Sequence, residues 1–173
     1  MRKAKELRGL AVVDVTGGKK LGAVDDLVVS PDDGTLLAVT VSGGMFSGAK
    51  SYVRAEDIRS IGADAVTVVG ENVARREDEM TEAVREAHRS SRTLLGAKVV
   101  TEGGALLGTV SDYLIDEASR RVTGLTIGGG LLSGQDGLAA DRIVSVGPDA
   151  VIVSDESDDQ AAAERRPRPW AAG

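Results

Sequence analysis

The sequence predicts an all-β fold: two tandem small antiparallel β-barrels, joined by a helical linker and followed by a disordered C-terminal tail. Three observations predict it. A unit of about sixty residues occurs twice, each copy contains six short strand-like segments, and neither copy contains a helix-length apolar pattern. The expected boundaries are 1–69 for the first repeat, 70–92 for the linker, 93–154 for the second repeat and 155–173 for the tail.

The duplication is visible residue by residue between Leu7–Val68 and Leu94–Val153. Glycines, aspartates and valines recur in the same order, with two one-residue deletions in the second copy. The matched pairs include Gly9 and Gly96, Val12 and Val99, Gly22 and Gly108, Asp26 and Asp112, Ser60 and Ser145, and Asp64 and Asp149. A domain of about 60 residues buries only about 60% of its unfolded surface, so each copy gains from packing on the other or on a partner.

In the first copy, segments rich in β-branched residues alternate with turn residues. The turns are Thr16–Lys19, Pro31–Gly34 and the glycine-rich loop Gly43–Gly48. The predicted strands are Leu10–Val15, Leu21–Ser30, Thr35–Ser42, Ser51–Arg54, Ile58–Ile61 and Ala65–Val69. Each copy is expected to have a core of its own. The predicted core residues are Val12, Val24, Val39, Val41, Val66 and Val68 in one, and Val99, Val110, Leu125, Ile127, Val151 and Val153 in the other.

The linker and the tail differ from the repeats in composition. Glu71–Arg92 is charged and nearly free of Gly and Pro, which predicts a helix that Asp78 or Thr81 caps. Its narrow apolar stripe is expected to lie against one barrel and contains Val73, Met80, Val84 and Ala87. After Val153 the chain passes from acidic residues to Arg, Pro and one Trp, too few apolar side chains to order it.

Composition excludes several classes of function. The net charge of −6 argues against a nucleic-acid-binding protein, which needs clustered Lys and Arg over a face. With no cysteine and one histidine, the chain is expected to hold no disulfide, no metal and no cofactor. The basic start at residues 1–5 precedes an apolar run too short for a signal peptide or a membrane span, so a cytoplasmic protein is expected.

Several short motifs occur in both copies and resemble one known family. A Gly-x-x-Val-Val opening is followed by Gly-x-x-Leu-Gly-x-Val-x-Asp, ending at Asp26 and Asp112, and by a closing Gly-x-Asp-Ala-Val-x-Val. In this order they resemble the PRC-barrel family, which includes the photosynthetic reaction-centre H subunit and the C-terminal domain of the ribosome maturation factor. The resemblance implies tandem PRC-like β-barrels that bind other macromolecules without catalysing a reaction.

Asp26 and Asp112 occupy the same place in the two copies. Paired carboxylates can act in acid–base catalysis or hold a metal, but no His, Cys or Glu accompanies them at a ligand-like spacing. The sequence therefore favours structural carboxylates that accept hydrogen bonds from backbone amides at a strand end or bulge. The same interpretation applies to Asp14, Asp25 and Asp64.

The glycine-rich segment Gly43–Ser51 resembles a phosphate-binding loop but differs from it in register. A P-loop lysine directly follows the second glycine, whereas here Ala49 separates Gly48 from Lys50. A strand is expected to follow, so a hairpin loop is the better interpretation. His88 is interpreted as a favourable charge near a helix C-terminus or as an exposed side chain.

Three apolar side chains are the candidate partner contacts: Phe46 and Leu132 at matching loop positions, and Trp170 in the tail. The two loop residues are either tucked over a barrel mouth or displayed, and the tucked arrangement is favoured because proteins usually avoid exposed apolar patches. A lone Trp among Arg and Pro has the composition of a short docking motif, in which one aromatic anchor supplies most of the binding energy.

The sequence thus predicts a non-enzymatic protein-interaction or adaptor module in the bacterial cytoplasm, with a protein partner that it does not identify. One alternative is a ribosome-associated or RNA-processing factor, although a nucleic-acid ligand is not expected from the charge. The other is a peripheral component of a membrane complex of the photosynthetic type, held weakly by the basic ends of the chain. No catalytic residue is assigned, no integral membrane segment is expected, and the oligomeric state is left open.

Overall fold

In the computed structural model, the first repeat is a curled β-sheet that follows the predicted strands closely. The structure describes residues 1–44, 50–129, 137–155 and 170. The elements of this half are β1 (Arg2–Lys3), α1 (Ala4–Leu7), β2 (Ala11–Asp14), β3 (Lys20–Val29), β4 (Leu36–Ser42), β5 (Ser51–Arg54), β6 (Ile58–Ile61) and β7 (Ala65–Val68). Strands β2 to β7 each coincide with a predicted strand to within one residue.

The linker that follows is helical only in its second half. Its elements are a 3₁₀ turn (Glu71–Val73), β8 (Arg75–Arg76), another 3₁₀ turn (Glu77–Glu79) and helix α2 (Glu82–Leu94). Thr81 is the N-cap of α2, and its hydroxyl accepts a hydrogen bond from Val84 N at 3.4 Å. The predicted helix over 71–92 is therefore wrong in its first half, because β8 pairs with β5 and holds the chain along the edge of the first sheet.

The second repeat reproduces the first, element by element. Its strands are β9 (Lys98–Thr101), β10 (Leu106–Asp116), β11 (Arg121–Gly128), β12 (Leu138–Ala139), β13 (Ile143–Val146) and β14 (Ala150–Val153). They correspond in order to β2 through β7, and a 3₁₀ turn precedes both β6 and β13. The predicted all-β class of two tandem barrels is confirmed.

Each repeat forms one curled sheet that contains a single parallel strand pair among its described pairings. The strand order is β6-β7-β2-β3-β4-β5-β8 in the first sheet and β13-β14-β9-β10-β11-β12 in the second. The last strand of each unit, β7 or β14, runs parallel to the first, β2 or β9, and the other pairs are antiparallel. The mostly antiparallel sheet therefore curls back until its last strand meets its first.

Two glycines allow neighbouring strands to approach closely at the same point in each repeat. Gly22 and Gly108 have φ angles of +146° and +148°, a region that L side chains rarely adopt. A Cβ on Gly22 would lie 2.6 Å from the Ser42 carbonyl oxygen, and one on Gly108 would lie 2.8 Å from that of Gly128. The second glycine of the repeated Gly-x-x-Leu-Gly motif is thus a requirement of the backbone.

Helix α2 lies against the first sheet through the predicted apolar stripe. A small hydrophobic cluster, separate from the main core, contains Val28, Ala38, Tyr52, Met80 and Ala87. Val84 packs against this cluster, whereas Val73 packs against the main core, because it lies in the 3₁₀ turn before β8 and not in α2. The linker is therefore fixed to the first repeat by buried apolar contacts.

The two repeats meet in a strand bridge between equivalent residues. Thr35 pairs with Arg121, and these two positions match in the duplication. Leu36 N donates to the Arg120 carbonyl at 2.8 Å, and Val122 N donates to that of Gly34 at 2.9 Å. Because each contact is repeated with the two copies exchanged, the bridge lies on an approximate two-fold axis, as in an isologous dimer interface.

The segment that precedes each repeat packs against the sheet of the other repeat. Strand β1, which precedes the first repeat, pairs with β10 of the second, with Arg2 opposite Ile115. Helix α2, which precedes the second repeat, covers the matching position of β3: Ser91 Oγ accepts from Val29 N at 2.7 Å and donates to its carbonyl at 3.0 Å. This exchange ties the two sheets together.

A single hydrophobic core runs through both repeats. The twelve predicted core residues are all buried, with exposures of 5% or less, and equivalent positions are buried alike. They belong to one continuous cluster that also contains Leu7, Leu94 and Tyr113. The prediction of two separate cores is therefore wrong, because the exchanged segments and the strand bridge fill the space between the sheets.

Candidate functional site: the seam between the repeats

The duplicated carboxylates bond to the backbone at β-bulges, as the sequence predicts. The register of strand pairing shifts immediately before Asp26 and before Asp112. Asp26 Oδ1 accepts a hydrogen bond from Leu27 N at 2.9 Å, and Asp112 Oδ1 accepts one from Tyr113 N at 2.9 Å. Each carboxylate therefore stabilises a local backbone kink that its bulge creates.

A polar cluster with side chains from both repeats lies around Asp26 at the seam. Arg8 Nη2 donates to Asp26 Oδ1 at 2.7 Å, and Tyr113, only 1% exposed, lies near both groups. Burial, reinforced by the negative charge of Asp26, raises the pKa of the Tyr113 phenol. Among the described residues, Arg8 Nε and Asp112 Oδ2 are buried without a hydrogen-bond partner.

His88 packs inward from the middle of α2. Its side chain is 14% exposed, with Nε2 4.0 Å from Asp26 Oδ2 and Nδ1 3.9 Å from Glu77 Oε1. Both sequence interpretations, a charge near the helix C-terminus and an exposed side chain, are therefore wrong. The helix continues to Leu94 and turns this face toward β3. Its two ring nitrogens thus face one carboxylate of the sheet and one of the linker.

Asp14 and its counterpart Thr101 hold the same turn in the two repeats. The Asp14 carboxylate accepts hydrogen bonds from the backbone amides of Thr16, Gly17 and Gly70 at 2.9, 3.0 and 2.7 Å. The bonds from Thr16 and Gly70, the largest causes, hold the pKa of Asp14 below its usual value. In the second repeat the uncharged Thr101 Oγ1 accepts from Ala105 N at 3.1 Å. The interpretation of Asp14 as structural is confirmed.

The remaining predicted positions fall at the surface or outside the described residues. Lys50, the lysine of the P-loop-like segment, pairs with Asp25 Oδ2 at 2.8 Å, and this hydrogen bond raises the pKa of its ammonium group. Asp25 thus bonds to a side chain and not to the backbone, and Asp64 is exposed between β6 and β7. Phe46 and Leu132 lie outside the described residues, so their role as partner contacts stays a prediction.

Trp170 is buried between the repeats. It is 4% exposed and belongs to the main hydrophobic core. Its Nε1 donates a hydrogen bond to the Pro31 carbonyl at 3.0 Å. The six-membered ring covers Gly34 so closely that a Cβ there would lie 2.6 Å from Trp170 Cε3 and Cζ3. The expectation from the tail composition that the Trp170 side chain is free is therefore wrong. Contact of Trp170 with a second protein stays a prediction.

Both repeats and the linker helix line the site of Trp170, which we call the seam groove. Its walls are the turn Pro31–Gly34 of the first repeat, Leu94 of α2, and Ala140 and Val146 of the second repeat. Two open clefts, of about 230 and 460 Å³, border the indole. The site therefore has room for residues that flank the Trp side chain.

The site that matches the seam groove across the two-fold axis is filled by Arg120, a side chain of the second repeat. Arg120 is the counterpart of Gly34 in the second repeat and has a φ angle of +57°. Its guanidinium group crosses the seam and donates hydrogen bonds to the carbonyls of Ala55 and Ile58 in the first repeat. Gly34 has no side chain to reach the matching residues of the second repeat. The groove exists because the duplicated turn carries Gly in one copy and Arg in the other.

Sequence reasoning missed Gly34, Arg120, Arg8 and Tyr113 as residues of the seam. For the first two a signal was available, since aligning the repeats places Gly34 opposite Arg120 at the end of the same turn. Arg8 has Leu95 as its counterpart, so a charge stands where the other copy has an apolar residue. Positions at which the aligned repeats carry different residue types therefore point to residues of the seam.

The part of the chain that the structure describes contains no group of three or more His, Cys, Asp or Glu side chains arranged to hold a metal ion. Nor does any helix in that part have the length and apolar character needed to cross a membrane.

Comparison with known proteins identifies the repeats. The family model described as PRC-barrel domain matches two segments, residues 1–72 and 87–160, which contain the two repeats. The resemblance inferred from the repeated motifs is thereby confirmed in both copies. A search of curated proteins gave no match.

Proposed function

The chain belongs to the PRC-barrel family, and from this premise we propose that it is a non-catalytic adaptor that binds a protein partner. The observation that carries the proposal is the seam groove, a largely apolar site to which both repeats contribute. Concave apolar sites with a few placed polar groups suit protein segments as ligands. Since a single barrel would supply only part of this site, the groove gives the duplication a function.

The carboxylates at the turns and bulges support a binding role over a catalytic one. Asp14 and Asp26 accept hydrogen bonds from backbone amides, and Asp112 does the same at its bulge. A general acid or base needs to direct its reactive oxygen or nitrogen at a bound substrate. Carboxylates that hold turns and bulges contribute to folding instead.

The distribution of charge favours a protein partner over RNA. The chain carries a net charge of −6. Arg89 pairs with Glu82 and Glu86 on the exposed face of α2, and Arg54 pairs with Asp57 at 3.0 Å. A ribosome-associated factor needs a face of Lys and Arg that is available to phosphates. Arginines engaged with acidic neighbours contribute little to such a face.

Affinity capture of the tagged full chain from its native host tests the proposal. We expect one protein to be recovered in a fixed ratio to the chain, to survive nuclease treatment, and to remain with the chain after membranes are removed by centrifugation. Loss of the partner with nuclease would support an RNA-processing factor instead. Recovery only in the membrane fraction would support a peripheral membrane component.

A matched pair of variants tests whether the seam binds the partner. Ser145 and Ser60 are exposed and occupy equivalent positions in β13 and β6, but only Ser145 borders the seam groove among the described residues. Ser145→Arg is expected to reduce recovery of the partner, whereas Ser60→Arg leaves it unchanged. Equal recovery with both variants would contradict binding at the seam.

A further inference from the structure

We propose that the seam groove is a recognition site for a tryptophan-bearing basic peptide segment, and that Trp170 is its exchangeable occupant in the free chain. The inference rests on the proposed adaptor function and deepens it by naming the chemistry of the partner. The partner then carries a segment like the tail, and it binds by replacing Trp170 in the groove.

The groove fits an indole in shape and in hydrogen bonding. The ring lies on the bare Cα of Gly34, where even a methyl group would come within 2.6 Å of two ring atoms. The Pro31 carbonyl accepts from the indole nitrogen, which satisfies the one polar atom of a side chain that is 4% exposed. A phenylalanine ring would leave this acceptor unpaired. The site thus distinguishes Trp from other apolar side chains.

The seam groove differs from its counterpart across the two-fold axis in where the side chain that fills it comes from. There Arg120 projects from the hairpin turn of the barrel itself, so that space is filled whenever the barrel is folded. Trp170 instead comes from beyond the second repeat and follows the last strand after residues 154–169. A side chain that is not part of a barrel element can leave the groove without unfolding the sheets.

Charge complementarity indicates which residues flank the tryptophan of the ligand. Among the described residues, acidic side chains outnumber basic ones around the clefts beside the indole. Asp32 and Asp33 line one cleft and Asp141 lines the other, where the one cation of this described set, Arg121, pairs with Asp33 at 3.7 Å. The sequence directly before Trp170 is Arg165-Arg-Pro-Arg-Pro169. Opposite charges at the rim of a site favour encounter with the matching segment. The ligand is therefore a Trp preceded by Arg and Pro.

Peptide binding to a tryptophan-free chain tests the inference directly. Trp170 is the one tryptophan of the sequence, so the full-length Trp170→Ala chain has no Trp emission of its own. A synthetic peptide of residues 164–173 is titrated with this chain, and the fluorescence of the peptide is recorded. We expect a saturable shift of the emission to shorter wavelength as the indole enters the apolar groove. Emission that stays unchanged at every chain concentration would overturn the proposal.

A second substitution in the same chain locates the binding. Gly34→Ala places a methyl group against the indole, and overpacking of a filled site is expected to weaken binding by about tenfold or more. Gly18→Ala is the matched control, because its φ of +67° is close to the +72° of Gly34 while nothing lies within 4 Å of the added Cβ. Equal affinity in the two glycine variants would show that the peptide binds elsewhere.

The chain with its natural tail provides a measurement that does not depend on the folding of the Trp170→Ala variant. The NMR resonance of its single indole N–H is expected to move to the position of the free peptide in the Gly34→Ala variant and to stay in place in the Gly18→Ala variant. The same resonance position in the natural chain and in both variants would overturn the proposal. Sedimentation of the natural chain adds a check, because a dimer that requires Trp170 would assign the groove to the tail of a second copy.

These experiments separate the inference from the proposed function. The peptide titration uses only purified chain and peptide, so it succeeds or fails regardless of what is captured from the host. A captured partner that is sensitive to Ser145→Arg, combined with no peptide binding, would leave the adaptor function standing and overturn the assigned ligand. Peptide binding without a captured partner would support the site and contradict the adaptor function.

Discussion

Replacing Arg120 tests the contact that joins the two repeats on the side opposite the seam groove. The guanidinium group of Arg120 donates to the carbonyls of Ala55 and Ile58, so Arg120→Ala removes two charge-assisted hydrogen bonds that cross the seam. Such bonds contribute about 1.5–3 kcal/mol each when buried, and this side chain is half-buried. The free energy of unfolding is therefore expected to fall by about 1–3 kcal/mol.

Arg120→Gly separates the side-chain contact from the backbone strain at the same position. The φ of +57° costs a residue with a Cβ about 1 kcal/mol, and glycine avoids that cost. We expect the Gly variant to lose the same hydrogen bonds and yet to be about 0.5–1 kcal/mol more stable than the Ala variant. Urea denaturation of both variants, with Arg92→Ala as an exposed control expected within about 0.5 kcal/mol of the natural chain, measures these differences. Stabilities of both Arg120 variants equal to that of the control would refute the reasoning.

Three further predictions concern the core, pH and metal content. Val39→Ala and Ile127→Ala, one in each repeat, should each cost about 1–4 kcal/mol and shift one shared calorimetric transition, because their side chains lie in one core; two independent transitions would contradict this. Because hydrogen bonds lower the folded pKa of Asp14, its stabilisation is present above the unfolded pKa and is lost as pH falls below about 4. Asp14→Asn should therefore destabilise the chain at pH 7 and progressively less in acid, whereas the cost of Thr101→Val should not follow this pH dependence. Elemental analysis should find no stoichiometric zinc or iron, and one metal per chain would overturn that prediction.

Local sequence patterns sufficed for the strands and the bulges. Alternating β-branched residues located β2 to β7, since side chains of a half-buried strand have a period of two. The repeated Gly-x-x-Leu-Gly-x-Val-x-Asp motif predicted the structural role of Asp26 at its bulge. These features depend on neighbours in the same hairpin, so the information for them is local.

Contacts between distant parts of the chain could not be predicted in this way. The start of α2 depends on β8 pairing with β5, and the environment of His88 depends on how α2 lies against β3. The merged core depends on the exchange of β1 and α2 between the repeats. Polar and charged residues precede Trp170 in the sequence, yet its side chain is buried in the fold. Its burial could not be predicted because the groove that holds it is built from segments far away in the chain.

The emission of the single tryptophan in the unmodified chain tests the central claim most directly. The account holds that the two repeats form one body whose seam groove encloses Trp170 at 4% exposure. It predicts that Trp170 emits at short wavelength and is poorly quenched by acrylamide under native conditions. On unfolding, the emission wavelength and the quenching should both change to the values of the free tail peptide. Long-wavelength emission and free quenching in the native chain would contradict it, because Trp170 would then lie in water and the groove would be open.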